Sequence, residues 1–367
     1  MELLNFINQH DNWKELLQEA PYFLEVKEDE GYVLLKYNQI KSDFSQPIVQ
    51  ECRGIILNSS NKIVCWPFDK FFNYGEPHAA DIDWSSARVQ EKIDGSIMKL
   101  WYDRDGHWML STNGSIDAYK TELNMNELVK LNCPFTTFGQ LFEAARNFKD
   151  LDLNALNQNY TYMFELVSPY NKVVIAYPEI IINHIGTRNN ITGEELNVDI
   201  GIRKPKEYPI HSLKDCISAA AELTADEEGY VVVDKYWKRI KVKNPVYLQL
   251  HRMISNNQLK VKDILQMIFE NEQEEFLTYF PEYRKTFEEV EASLEHLENR
   301  LINSYKKIMC CSTEGWTRKD FAIEALKEDK ENSDYFFRKY NDENYEFRTW
   351  VENMNKDKLI EKLSKEQ

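Results

Sequence analysis

Residues 90–101 read QEKIDGSIMKLW, a lysine two positions ahead of an Asp-Gly pair and set between runs that look like strands. A lysine favours a solvated surface, and a KxDG tetrad arises by chance in roughly one chain in ten of this length. Alone, it reads as a surface lysine beside an Asp-Gly turn. The residues ordered around it change that reading.

Upstream, ECRGIIL places Arg53 at the mouth of a strand, and FDKFFNYGEP places Lys70 among aromatic side chains. Downstream, MFELV carries Glu165 inside an apolar strand, where an unpaired carboxylate is expensive. EEGYVVV then puts Glu228 just ahead of another strand, and RIKVKNP alternates Lys241 with Lys243. Period-two spacing sends those two lysines to one face. Several cations, a nucleophile candidate at Lys92 and two carboxylates are the equipment for handling a polyphosphate and a metal ion.

The 367 residues exceed one ordinary core, and two domains are expected. With 45 basic against 61 acidic residues the net charge is −16, which excludes coating nucleic acid by bulk charge and makes any such contact local. The longest apolar run, VVIAY at 173–177, is far short of a membrane span. The opening stretch MELLNFINQHDNWKELL lacks a basic leader followed by an apolar run, so no secretion signal is expected. The six cysteines form no CxxC pair and read as reduced thiols of a cytoplasmic protein.

Eleven of the twelve glycines lie at or before Gly229, and ten of the eleven prolines at or before Pro245. Frequent turns followed by few predict a strand-rich domain at 1–250 and a helical one at 251–367. Strands are expected at GYVLLKY, RGIILN, KIVCWPF, GSIMKLWY, HWMLS, TYMFELV, KVVIAY, EIIINHI, GYVVV and RIKVK. Helices are expected at DNWKELLQEA, TELNMNELVKL, FGQLFEAARNF and SLKDCISAAAEL, the last with Ser212 and Asp215 spaced as a capping box. Beyond residue 250, Phe287, Val290, Leu294, Leu297, Leu301 and Ile308 mark one helix of about seven turns. TRKDFAIEALKED and NKDKLIEKLSKE follow as shorter ones.

The ordered motifs KYN, ECRGI, KFFN, KxDGS, NGS, FELV, KVVIAY, EGYVV and KVK followed by NPVYLQLH resemble the covalent nucleotidyltransferases. More closely, they resemble the phage RNA ligase 1 family, ATP-dependent RNA ligases associated with tRNA repair. ECRG and KFFN are specific to that branch. The resemblance implies an α+β chain, with an N-terminal nucleotidyltransferase (ATP-grasp-like ligase) domain of antiparallel sheets and flanking helices, then a smaller all-helical domain. It implies ATP and Mg2+, with Mn2+ as the alternative, and RNA ends as partners, among them cleaved tRNA. It also implies a monomer in a bacterial cytosol, phage-encoded or host.

The implied reaction has three steps. Lys92 attacks the α-phosphorus of ATP and expels pyrophosphate, AMP passes to an RNA 5′-phosphate, and an RNA 3′-hydroxyl then displaces AMP. The amine must be neutral to attack, which neighbouring cations, a metal ion and desolvation favour. By resemblance, Arg53 and Lys70 hold the β- and γ-phosphates, and Lys241 and Lys243 the α-phosphate. Glu165 accepts hydrogen bonds from the ribose, and Glu228 stands near the phosphates and metal. Tyr37 and Tyr247 match positions associated with ATP, and Glu274 in ENEQEE lies nearest a metal-linked aspartate of a relative. Asp94 and Gly95 shape the loop that presents Lys92.

Each residue also has a plainer reading: surface ion pairs for Arg53 and Lys70, and an edge strand guarded by lysines for Lys241 and Lys243. Glu165 and Glu228 suit buried ion pairs, Tyr37 and Tyr247 core packing, and Glu274 a solvated helix face. One departure stands out. LSTNGS matches a segment that usually carries lysines, yet Ser111 and Asn113 occupy those places. A phosphate is then either without a cation from this segment or held by another residue such as Lys99.

A DNA ligase or a GTP-using mRNA capping nucleotidyltransferase would follow Lys-x-Lys with a small OB-type β-barrel, whereas about 120 mainly helical residues follow here. A non-catalytic RNA-binding relative would have no need of Lys92. The helical region has 19 Lys and Arg against 25 Asp and Glu. Its stretch DYFFRKYNDENYEFRTW suits helix packing first, with RNA docking by stacking and phosphate contacts as the alternative.

Overall fold

The short apolar runs between residues 24 and 243 pair into three sheets in the computed structural model, which describes residues 1–367 except 40, 104, 124–131, 174, 225, 246–258, 313–315 and 366–367. Strands β1 (Leu24–Asp29), β2 (Tyr32–Tyr37), β3 (Arg53–Asn58) and β4 (Ile63–Cys65) form the first, antiparallel and in chain order. The next two, β5 (Phe72–Asn73) and β6 (Arg88–Glu91), leave it for a different sheet. The second sheet is built from β7 (Ser96–Tyr102), β8 (Trp108–Thr112), β9 (Tyr160–Val167), β10 (Ile181–Asn189) and β11 (Glu195–Leu196), in the spatial order β11-β10-β9-β7-β8. Finally β12 (Glu207–Tyr208), β13 (Gly229–Val233) and β14 (Arg239–Lys243) join the earlier pair as β12-β6-β13-β14-β5. Only β14 and β5 run parallel among these named strand pairs.

Alternation explains the continuous apolar runs in β2 and β3. Val33, Leu35, Ile55 and Leu57 face one core with Leu3, Trp13 and Leu17, while Tyr32, Leu34 and Ile56 face another with Trp101 and Ile116. Strands buried on both faces have no polar side to show. Helix Glu2–Gln9, which no sequence signal marked, supplies Leu3 and Ile7 to the first core, and Glu51 accepts from the Glu2 and Leu3 amides at 3.0 and 2.8 Å.

The link 92–95 joins β6 of the third sheet to β7 of the second. The Lys-Ile-Asp-Gly tetrad is thus the passage between two sheets. Gly95 has to be glycine there: a Cβ would stand 2.4 Å from the Leu166 carbonyl oxygen.

Two expectations change. KVVIAY forms no strand among its described residues; instead the Ile175 amide donates to Asp94 Oδ2 at 2.8 Å, and the Asp94 amide donates to Tyr177 Oη at 3.3 Å. Apolar β-branched composition favours a strand only where a partner edge is free, and here the Ile175 amide and the Tyr177 hydroxyl are engaged with Asp94 instead. FGQLFEAARNF is a short helix, Phe138–Glu143, followed by a 3-10 turn at Phe148–Asp150. The helix expected over TELNMNELVKL falls mostly outside the described residues. Leu213–Ala221 is helical, with Ser212 Oγ accepting from the Asp215 amide.

The chain divides into two compact units, Met1–Arg252 and Met253–Gln367. In the second, every named element is a helix: Val261–Phe269, Gln273–Tyr279, Arg284–Cys310, Arg318–Glu328, Ser333–Asn341, Phe347–Glu352 and Lys356–Leu363, with short 3-10 turns between. Phe287, Val290, Leu297, Leu301 and Ile308 form the buried stripe of the 27-residue Arg284–Cys310. Tyr335, Phe336, Phe347 and Trp350 from DYFFRKYNDENYEFRTW pack into the same core. The α+β expectation therefore holds: largely antiparallel sheets with flanking helices, then helices.

Candidate active site

A cavity of about 480 Å³ opens where β6, β7, β9, β13 and β14 meet, and Lys92 lines it with Arg53, Glu165 and Lys241. Register brings them together. Tyr230 pairs with Glu91 across β13 and β6, and the Lys92 amide donates to the Gly229 carbonyl at 2.9 Å, which sets Glu228 beside Lys92. The Glu228 carboxylate is buried and lies 2.5 Å from Lys92 Nζ. Gly229 has φ +139° and no room for a side chain, since a Cβ would approach the Val242 carbonyl oxygen to 2.3 Å.

On the opposite wall Glu165 of β9 pairs with Ile97 of β7. Burial pushes its carboxyl up to about 7; Lys92 opposes the shift and Glu228 reinforces it.

The cations converge on one aromatic floor. Lys241 Nζ lies 5.3 Å and the Arg53 guanidinium carbon 4.8 Å from the Phe71 ring centre. The parallel pairing of Lys241 with Asn73 carries the FDKFFN stretch to this place. Burial, with Lys70, Arg53, Lys243 and Lys92 as neighbours, holds Lys241 well below the usual amine range. Lys243 shares its face of β14, as its two-residue spacing requires.

Lys70 stands over Tyr37, Phe44 and Phe72 at 5.0, 4.7 and 5.4 Å and donates to Gln39 Oε1 at 3.2 Å. Tyr37 meets Phe44 edge-on at 5.2 Å, so its ring serves core packing as well as Lys70. Neither Tyr37 nor Lys70 is among the residues lining the cavity.

Apolar walls complete the site. Phe68, Phe71, Ile97, Ile185 and Val231 line it; Phe68 and Phe71 lie in FDKFFN and Val231 in EGYVV, but the sequence reading gave none of the five a place in the site. Ile185 sits at a β-bulge, where the β9–β10 register slips between His184 and Gly186. Val231 follows from alternation: it is partly exposed between buried Tyr230 and Val232. That periodicity was the available signal, but it cannot say which sheet faces which.

Arg239 also lines the cavity, yet its guanidinium is engaged by Glu195 at 2.8 and 2.6 Å, with both side chains nearly buried. Removing either partner of such a pair costs about 3–5 kcal/mol.

The departure at LSTNGS resolves differently from the expectation that named Lys99. Asn113 lines the cavity, while Ser111 is fully buried. Lys99 is fully buried too, its amine donates to the Gly54 carbonyl, and it does not line the cavity. Glu274 belongs to Gln273–Tyr279 of the second unit, where it pairs with Arg284 at 3.6 Å, a use that requires no metal. Tyr247 lies outside the described residues.

A protein of Autographa californica nuclear polyhedrosis virus, named provisionally as a bifunctional polynucleotide kinase/RNA ligase, is 34% identical over 265 residues. That match covers 68% of this chain, and the chain spans only 37% of the viral protein's length. An RNA ligase of Rhodothermus phage RM378 is 26% identical over 359 residues, covering 78% of this chain and 80% of the phage protein. An archaeal ATP-dependent RNA ligase of known structure superposes with a TM-score of 0.43 at 13% identity, over 77% of this chain and 78% of its own. Residues 51–247, more than half of the chain and the stretch holding every cavity residue, match the RNA ligase family model, and the chain belongs to that family.

Proposed function

We propose that this protein is an ATP-dependent RNA ligase that joins an RNA 5′-phosphate to a 3′-hydroxyl through a lysine–AMP intermediate on Lys92. The observation that carries this is the placement of Lys92 on the passage between two sheets. There its amine meets Glu228 at 2.5 Å in a cavity that also presents Arg53, Lys241 and Glu165.

The apolar walls at Ile185 and Val231 suit a flat heterocycle, and the cationic end at Arg53 and Lys241 suits its phosphates. Arg53 Nε and Nη1 are buried without a hydrogen-bond partner among the described residues, as expected of a guanidinium waiting for anionic oxygens. Arg53 neutralises the departing pyrophosphate and Lys241 balances charge on the α-phosphate, while Lys70 and Lys243, which do not line the cavity, add positive potential beside Lys241. Glu165 accepts from the ribose hydroxyls.

Lys92 gives up its proton to solvent, the neutral amine being favoured by the neighbouring cations and by desolvation, and Glu228 Oε2, 2.5 Å from Nζ, orients it. The neutral amine forms the N–P bond as the bond to pyrophosphate breaks. AMP then moves to the RNA 5′-phosphate, and attack by the 3′-hydroxyl releases it.

No group of three or more His, Cys, Asp or Glu forms a metal cage among the described residues. Magnesium takes one or two carboxylates together with phosphate and water oxygens, and Glu228 beside the cationic cavity fits that donor set, with Mn2+ as the alternative ion. Such an ion supplies charge neutralisation at the phosphates. The helical residues 253–367 choose among RNA ends, cleaved tRNA being one candidate class.

The test incubates the protein with Mg2+ and ATP labelled at the α-phosphate, then separates it under denaturing conditions. Acid-labile, alkali-stable label on the parent and none on Lys92→Ala is the expected result. Label from GTP alone, or equal labelling of the variant, overturns the reading.

A further inference from the structure

Lys99 is a charged side chain with 0% exposure that the proposed chemistry does not use. It lies in the middle of β7, paired with Ser111 on one side and Met163 on the other. Its amine ends on the carbonyl of Gly54. Burying an ammonium costs several kcal/mol unless its bonds are well placed, so what it holds there matters.

Gly54 is the extra residue of a β-bulge. Across β2 and β3, Leu35 pairs with Ile55 and Lys36 with Arg53, and Gly54 is left unmatched at φ +83°. A Cβ at Gly54 would lie 2.6 Å from the Asn113 carbonyl oxygen and 2.7 Å from Lys99 Nζ, so the bulge is packed on both. Bulges re-aim the neighbouring side chain, and the neighbour is Arg53, which lies over Phe71 with two nitrogens unpaired among the described residues. Asn113 Oδ1, which also lines the cavity, is buried and likewise without a partner among the described residues.

We propose that Lys99 is a positioning residue: by clamping the carbonyl of the Gly54 bulge it holds the Arg53 guanidinium in the cavity for the phosphates that leave with pyrophosphate. This rests on the ligase reading above. It also accounts for a wall that lacks the usual lysines at 111 and 113: the cation beneath fixes Arg53 instead of touching the nucleotide. Burial brings the Lys99 amine down to about 8, with Arg53 contributing to the shift and the Cys65 thiol opposing it.

The experiment compares parent, Lys99→Met, Lys99→Arg, Arg53→Ala and the Lys99→Met/Arg53→Ala double variant. Two reactions are read: lysine–AMP formation from ATP, and joining of RNA already carrying AMP on its 5′-phosphate, in which no pyrophosphate leaves. Lys99→Met is expected to raise the KM for ATP about tenfold, the scale of one missing hydrogen bond to a charged group. Joining of adenylylated RNA should stay within about twofold, and Lys99→Arg should recover part of the loss. In the Arg53→Ala background, Lys99→Met should add nothing further.

An unchanged KM overturns the proposal, as do equal losses in both reactions or full additivity with Arg53→Ala. If Lys99→Met does not fold, Lys99→Arg is read in its place by the same cycle, with a smaller KM rise expected. A parent that forms no lysine–AMP bond sinks the ligase reading itself, and this inference with it.

Discussion

Glu165 shows how a single carboxylate couples the site to pH. Burial raises it to about 7 in the folded chain, from an ordinary value of 4.5. Between those values the unfolded chain releases the proton while the folded one keeps it, so folding stability falls as pH rises through that window and the full penalty applies above 7. Glu165→Gln has no charge to bury. Relative to the parent it should gain about 1–3 kcal/mol between pH 4.5 and pH 8, measured by urea unfolding at several pH values. A difference that does not vary with pH would mean that Glu165 is ionised at no cost. The sequence already marked this residue as anomalous, because a glutamate inside MFELV has no apolar reason to be there. The partner that pushes its shift further, Glu228, lies 63 positions away and could not be read from the motif.

Among elements, the helices of the second unit are held by their ends as well as by their apolar stripe. Arg318–Glu328 begins with a capping box in which Thr317 and Asp320 satisfy each other's backbone amides. Phe321 and Ala325 are the residues that it buries. Thr317→Ala should lower stability of that unit by about 1 kcal/mol in denaturant titration. Lysine–AMP formation should be unaffected, since no residue of this helix lines the cavity. The helix was legible from TRKDFAIEALKED, its cap included in the segment. Ser333–Asn341 and Phe347–Glu352 were legible in part: helix packing was the preferred reading of their aromatics over an RNA-stacking surface, and burial of Tyr335, Phe336, Phe347 and Trp350 agrees with it. KVVIAY misled. Its composition matches a strand, but the Ile175 amide goes to Asp94, and no described residue of the stretch joins a sheet.

At the scale of the whole molecule, a net charge of −16 sits beside a cavity with Arg53, Lys92 and Lys241 at one end. A chain ending at residue 252 should keep lysine–AMP formation and lose discrimination among RNA ends, tested by competing nicked, single-stranded and cleaved-loop substrates in one reaction. Unchanged discrimination would remove the role proposed for residues 253–367. No described helix is long and apolar enough to cross a membrane.

Sequence alone determined the chemical inventory and its order: a lysine before Asp-Gly, two glutamates at strands, two lysines on one strand face, and a switch from turn-rich to helical composition. These follow from local rules, because strand periodicity, turn chemistry and capping act over a few neighbouring residues. Tertiary structure alone decided which cations share an aromatic floor, that Glu228 rather than solvent meets Lys92, and that Lys99 is sealed behind a bulge. Those outcomes depend on strand register and on which sheet faces which, set by contacts between residues far apart in the chain. Period two assigns a side chain to a face and is silent about what lies opposite.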